Sequence, residues 1–254
     1  MGEDLPLCSA IAHGYTRPTM RDAAVAQRIA APPIGWEDPV TVDEARAFLR
    51  RCSRIISRHA RALTQLDAAL GDGDHGDNLL AGFAAIDEQL SAPDSGPDTA
   101  DLPSLLSTVG LALVSSVGGA SGPLYGAAFM EAGFAARSLD GQASAAALAQ
   151  LMEAAAQGLA RRGHCSVGEK TIYDTLAPAA AALRDAADRG ADIGDALRAM
   201  VAAANAGMRT TTDLVARRGL ALRLGERSRG HRDPGAASCL LLLCALAAPS
   251  SRGD

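Results

Sequence analysis

A chain of 254 residues, 48 % of them apolar, is long enough for one substantial globular domain, and its Ala-rich, aromatic-poor (3 %) composition favours helices over sheet. A formal net charge of −5 argues against a nucleic-acid binder, which would show a basic face. The longest apolar run, Ala236 to Ala248, is too short to cross a bilayer and reads as a buried helix.

Residues 1–40 carry Pro18, Pro32, Pro33 and Pro39 and one short helical pattern, Met20 to Ala30, and are expected to form a partly ordered N-terminal extension. Glu3 and Asp4 stand where a signal peptide wants positive charge, and Leu5-Pro6-Leu7-Cys8 lacks the apolar run of a lipidation site. The five cysteines (Cys8, Cys52, Cys165, Cys239, Cys244) are odd in number and lack C-x-x-C spacing, which fits reduced thiols. A cytoplasmic location is expected.

The folded domain is expected over 41–250. Thr41 to Glu44 is a capping box opening a long helix, along which Phe48, Cys52, Ile55, Ile56, His59, Leu63 and Leu66 recur at helical spacing. Asp67, four residues after Leu63, extends this inward stripe, and an acid there needs a partner.

Residues 67–78 read Asp-Ala-Ala-Leu-Gly-Asp-Gly-Asp-His-Gly-Asp-Asn. Four carboxylates this close repel one another unless a cation sits among them. Hard oxygen ligands on a flexible backbone suit Mg²⁺ or Ca²⁺, and Mg²⁺ usually arrives bridging a phosphate. The candidate ligands are Asp67, Asp72 and Asp74. An EF-hand counted from Asp72 would need Gly and Glu where Asp77 and Phe83 stand. Gly71, Gly73 and Gly76 satisfy G-x-G-x-x-G, but a helix precedes them instead of a strand.

Helical patterns follow at 78–90, 101–117, 123–138, 144–162, 171–190, 192–216 and 235–248. Their connections are short apart from Ser91 to Pro103, a polar Asp/Pro/Ser stretch expected to be a mobile surface loop. The expectation is an all-α fold, an up-and-down bundle or barrel of about eight helices.

Three further loops carry glycine. Gly118 to Gly126 places Gly119, Ala120 and Ser121 before Pro123, and free N–H groups with the Ser121 hydroxyl there would cradle phosphate. The third loop ends in Gly168-Glu-Lys-Thr171; Gly163 to Thr171 nearly spells a Walker A loop, but Lys170 is one residue late and no parallel sheet is expected to carry it. Lys170, the only lysine, reads by itself as a solvated charge. The last loop runs from Gly225 to Gly235, in a region (209–232) with seven arginines against Asp213 and Glu226. Arg227 and His231 in this basic cluster are candidates to stabilise charge on a transferring phosphoryl group.

In order, these motifs (Asp67-x4-Asp72-Gly-Asp74-His75-Gly, Gly-Gly-Ala-Ser121-Gly-Pro, Gly168-x-Lys170-Thr171, Gly225-Glu-Arg-Ser228 and Gly-His231-x-Asp233-Pro-Gly235) resemble the nucleotide-binding L domain of dihydroxyacetone kinase over about residues 41–248. The fatty-acid kinase branch typically has Thr where this chain has His75, which points to the dihydroxyacetone-kinase branch. The resemblance implies a closed helical barrel with ADP or ATP at one end and a pair of Mg²⁺ ions held by Asp67, Asp72 and Asp74. Nucleotide contacts would come from His75, Gly76, Asn78, Gly119, Ala120, Ser121, Gly168, Thr171, Asp233, Pro234 and Gly235.

The resemblance also implies a partner K subunit that holds the ketose, so that this chain is half of an enzyme. A phosphocarrier protein of the phosphotransferase system would recharge a bound ADP in one mode, and ATP would exchange in the other. A homodimer is expected. Two positions depart from the family: Glu169 where Asp is usual, and Leu220 where Arg is common. The alternative reading is a nucleotide-sensing module that reports to a transcription factor, although a sensor need not keep all three aspartates.

Overall fold

The computed structural model describes residues 41–91, 101–139 and 144–248. Among these are eight α-helices, one 3-10 stretch and no strand: α1 Val42–Ala68, α2 His75–Ser91, α3 Leu102–Ser116, α4 Ser121–Ala136, α5 Ala145–Gly163, α6 Tyr173–Asp188, α7 Ile193–Thr210, the 3-10 stretch Leu220–Ser228, and α8 Pro234–Ala247. The expected extension (1–40, with its helix at Met20 to Ala30) and most of the Ser91–Pro103 loop lie outside the described residues.

The helix starts follow local chemistry. Thr41 Oγ1 accepts the Glu44 N–H at 3.2 Å, so the N-cap half of the capping box forms. Asp101, Ser144, Asp192 and Asp233 cap α3, α5, α7 and α8 in the same way. Of the expected stripe on α1, Cys52, Ile56 and Leu63 are buried while Ile55, His59 and Leu66 are half-buried; Leu49 joins the buried face, which ends at Asp67. Truncating Leu63 to Ala would cost about 2–5 kcal/mol, because no exposed surface is present to collapse into the void.

Each helix packs on the next, and α8 packs against both α7 and α1, so the eight close into a ring. α8 is buried all round from Ala236 to Leu246, as its apolar sequence, interrupted only by Ser238, requires. Inside the ring lies an apolar cavity of about 140 Å³ between α1 (Phe48), α3 (Leu106), α4 (Tyr125), α5 (Leu148) and α8 (Leu242).

One expected helix is too long. The 192–216 pattern ends as α7 at Thr210, because Thr211 turns its hydroxyl back to the Met208 carbonyl at 2.7 Å and the chain leaves the ring. It returns only at Asp233. The up-and-down order has a simple consequence for chemistry. The C-termini of α1, α3, α5 and α7 and the N-termini of α2, α4, α6 and α8 all lie at one end of the ring, and the four glycine-bearing loops are the connections there.

Candidate active site

At that end is a cleft of about 440 Å³. Four helix N-termini open towards it, and their free N–H groups and dipoles favour an anion. Of the residues singled out from sequence, the cleft brings together Asp67, Asp72, Asp74, His75, Asn78, Gly119, Ala120, Ser121, Thr171, Asp233, Pro234 and Gly235.

Asp67 organises the acidic loop. Its Oδ2 accepts the backbone N–H groups of Gly73 and Asp74 at 3.0 Å and of His75 at 3.2 Å. A Cβ on residue 71 would lie 2.4 Å from Asp67 Oδ1, so only glycine lets the carboxylate sit there. Oxygens of Asp67, Asp72 and Asp74 then lie within 4.8 Å of one another. Desolvation first, and then repulsion from Asp72 and Asp67, raises the Asp74 carboxyl above its ordinary range, while the Asn78 side chain opposes this. An all-oxygen set that strains against its own charge fits a hard divalent cation.

His75 sits in a chain of hydroxyls. Ser121 Oγ lies 3.1 Å from Nδ1, Ser238 Oγ lies 2.9 Å from Nε2, and Tyr125 Oη lies 2.7 Å from Ser238 Oγ. Burial pushes the imidazole pKa below its usual value. Asp174, which the sequence reading passed over, holds the third loop: its Oδ2 accepts the Thr171 N–H at 2.7 Å, and its Oδ1 accepts from Gly168. Thr171-x-x-Asp174 is the spacing of a capping box, so the signal was present.

Four candidates lie outside the cleft lining. Gly76 serves packing: a Cβ there would lie 1.9 Å from the Ala60 carbonyl, so it lets α2 cross α1 closely. Gly168 is a turn residue at φ 93°. Arg227 and His231 are exposed and stand outside that lining. The 3-10 stretch that carries Arg227 breaks at Gly225 (φ 53°, ψ −129°), and the His231 carbonyl accepts from the Lys170 ammonium.

The cations that do line the cleft are Arg162, Lys170 and Arg218. Lys170 is not a solvated charge: it is 1 % exposed. Arg218 is forked onto Glu169, with Nε to Oε2 at 3.0 Å and Nη2 to Oε1 at 3.2 Å. Arg162, in the last turn of α5 beside Arg161, has no distinguishing sequence signal, because basic residues commonly end helices. Cys52, Cys165, Cys239 and Cys244 are buried and not joined in a disulfide. Among the described residues no helix is long and apolar enough to cross a membrane.

Residues 69–248 match the family model described as the DAK2 domain. The chain is 37 % identical over 200 residues to the ADP-binding subunit DhaL of the PEP-dependent dihydroxyacetone kinase of Escherichia coli (strain K12), which spans 79 % of this chain and 93 % of that subunit. It is 33 % identical over 217 residues to the L-erythrulose 1-kinase of Mycolicibacterium smegmatis, covering 81 % of this chain and 37 % of that enzyme. The fold superposes on the dihydroxyacetone kinase of C. freundii in complex with AMP-PNP and Mg²⁺ with a TM-score of 0.62 at 24 % identity, over 92 % of this chain and 37 % of that one. The chain thus spans little more than a third of those longer kinases. With its motifs, helical ring and DAK2 domain, it belongs to the dihydroxyacetone kinase family.

Proposed function

We propose that this chain is the nucleotide-binding subunit of a dihydroxyacetone-type kinase, passing a phosphoryl group to dihydroxyacetone or a related short ketose held on a separate K subunit. The observation that carries the reading is the convergence of Asp67, Asp72 and Asp74 at the mouth of a cleft ringed by helix N-termini. These carboxylates would hold a pair of Mg²⁺ ions, which neutralise and orient the phosphates of ADP or ATP. The N–H groups around Ser121 and Pro234 would receive phosphate oxygens. The four buried thiols, not joined in a disulfide, fit a reducing, cytoplasmic setting.

The rim supports a docking partner. Leu220 and Leu222 are 41 % and 54 % exposed beside the cleft, and an apolar rim at a reaction centre suits a subunit that closes over it. Whether the partner set includes a phosphocarrier, with ADP retained, or ATP exchanges instead is decided by the phosphoryl donor that works.

The test is reconstitution. The chain with ATP, Mg²⁺ and dihydroxyacetone is expected to show no turnover above background, and addition of its K subunit, with or without a phosphocarrier and phosphoenolpyruvate, is expected to restore it. Kinase activity from the chain alone would refute the split-site reading.

A further inference from the structure

Between Thr211 and His231 the chain leaves the helical ring and returns. Both feet of this excursion meet at one side chain: the Lys170 ammonium donates to the Thr211 and His231 carbonyls. The feet are also joined directly, Gly230 N–H to the Thr212 carbonyl at 2.7 Å. Inside the excursion the Ser228 hydroxyl accepts the Ala216 N–H at 2.9 Å and donates to the Gly225 carbonyl at 2.6 Å, and Arg229 Nη1 donates to the Asp213 carbonyl at 2.6 Å. Its far side supplies Gly219, Leu220 and Ala221 to the cleft wall, and Ala216 and Ala221 pack with Leu70 of the acidic loop. The segment is thus knitted into one body whose two feet meet at Lys170, while Glu169 holds its middle through the Arg217 N–H to the Glu169 carbonyl at 3.0 Å and through the Arg218 fork.

A lysine in a phosphate cleft would ordinarily be read as a phosphate ligand. Here it is buried, at φ 62°, with two of its three donors spent on main-chain carbonyls. We propose that Lys170 is a positioning residue: it clasps the feet of the 212–230 excursion and so keeps Gly219 to Ala221 against the cleft, without taking a phosphate itself. The proposal rests on reading the cleft as the nucleotide site only for its second readout. The first concerns the free protein.

Arg217, Arg218, Arg223, Arg227 and Arg229 are exposed on the excursion, which makes trypsin a direct reporter of its opening. In the full chain without nucleotide, Lys170→Met is expected to raise cutting at these arginines by at least about tenfold, the factor for losing roughly one charge-assisted hydrogen bond, with helix content unchanged. Affinity for ADP–Mg²⁺ by calorimetry is expected to fall by a similar factor. A cut rate equal to the parent's in the free protein overturns the proposal, and a collapse in ADP affinity beside it would make Lys170 a phosphate ligand.

Ser228→Ala asks the same question without touching Lys170 or any cleft residue, and so serves if the methionine variant does not fold. Cutting and ADP dissociation constant are both expected to rise, about threefold each. Faster cutting with unchanged ADP binding would show that the excursion does not shape the cleft, and would also overturn the proposal. Absence of ADP binding by the parent protein removes the nucleotide reading but leaves the trypsin result to decide the clasp.

Discussion

Asp67 and Asp74 stand in a double relationship: the Asp67 carboxylate accepts the Asp74 backbone N–H at 3.0 Å while both side chains face the same ligand position within 4.8 Å. Asp67 therefore builds the loop and also joins its charge cluster. Asp72 and Asp74 are both exposed and add charge to the cluster, Asp74 with a side-chain hydrogen bond to Asn78 besides.

That difference separates the three aspartates experimentally. Asp72→Ala and Asp74→Ala are expected to abolish ADP–Mg²⁺ retention while the melting temperature of the nucleotide-free protein stays level or rises, because repulsion is relieved. Asp67→Ala is expected to abolish retention and also to lower stability by about 1–3 kcal/mol, since three N–H groups lose their acceptor. Calorimetry and thermal melts on the three variants read both effects; undiminished ADP binding in the Asp72 and Asp74 variants would remove the metal assignment.

The basic cluster resolves differently from its appearance in sequence. Arg218 lines the cleft and is held by the Glu169 fork, whereas Arg227 points to solvent. Arg218→Ala is expected to slow coupled phosphoryl transfer about tenfold, roughly 1.4 kcal/mol of barrier. Arg227→Ala is expected to stay within about twofold, as solvated arginines contribute little. Transfer rates at saturating partner decide it, and the reverse ranking would restore the earlier expectation for Arg227.

The pattern of success in the sequence reading has a physical basis. Helix periodicity and capping residues such as Thr41 and Asp233 act locally, so the helices and their order were legible. In an up-and-down ring alternate loops share an end, so the four glycine-bearing motifs predicted their own convergence. Lys170 was misread because its burial depends on carbonyls 41 and 61 residues away. That Arg218 and not Arg227 lines the cleft depends on how the 212–230 segment folds back, and residue type alone carries no such information.

The hydroxyl chain at His75 offers a test of geometry independent of metal. Ser238 donates to the Gly235 carbonyl at 3.0 Å, so its oxygen is left to accept from Tyr125 and from His75 Nε2–H. A neutral imidazole protonated at Nε2 then accepts the Ser121 hydroxyl at Nδ1. Nitrogen NMR is expected to show the Nε2–H tautomer in the free protein, and Ser238→Ala to weaken ADP binding by about threefold. A predominantly Nδ1–H signal would reverse the direction of the chain.

The stability of the nucleotide-free protein should also carry the mark of Asp233. Burial, with repulsion from Asp174 and Asp67, raises its carboxyl from 3.8 to about 7, against the pull of the Ala236 N–H and the Lys170 ammonium. The folded state therefore holds a proton that the unfolded chain releases near pH 4. Stability from this group is complete below that pH and is lost as pH climbs through about 7. Asp233→Asn keeps the side-chain oxygen that caps α8, which Asp233 Oδ2 now supplies to Ala236 N–H at 2.7 Å, and removes the titration. Chemical denaturation between pH 4 and 8 is thus expected to show a smaller decline in stability for the asparagine variant than for the parent. Parallel profiles for the two proteins would mean that the carboxyl ionises in the folded state as it does in the free chain.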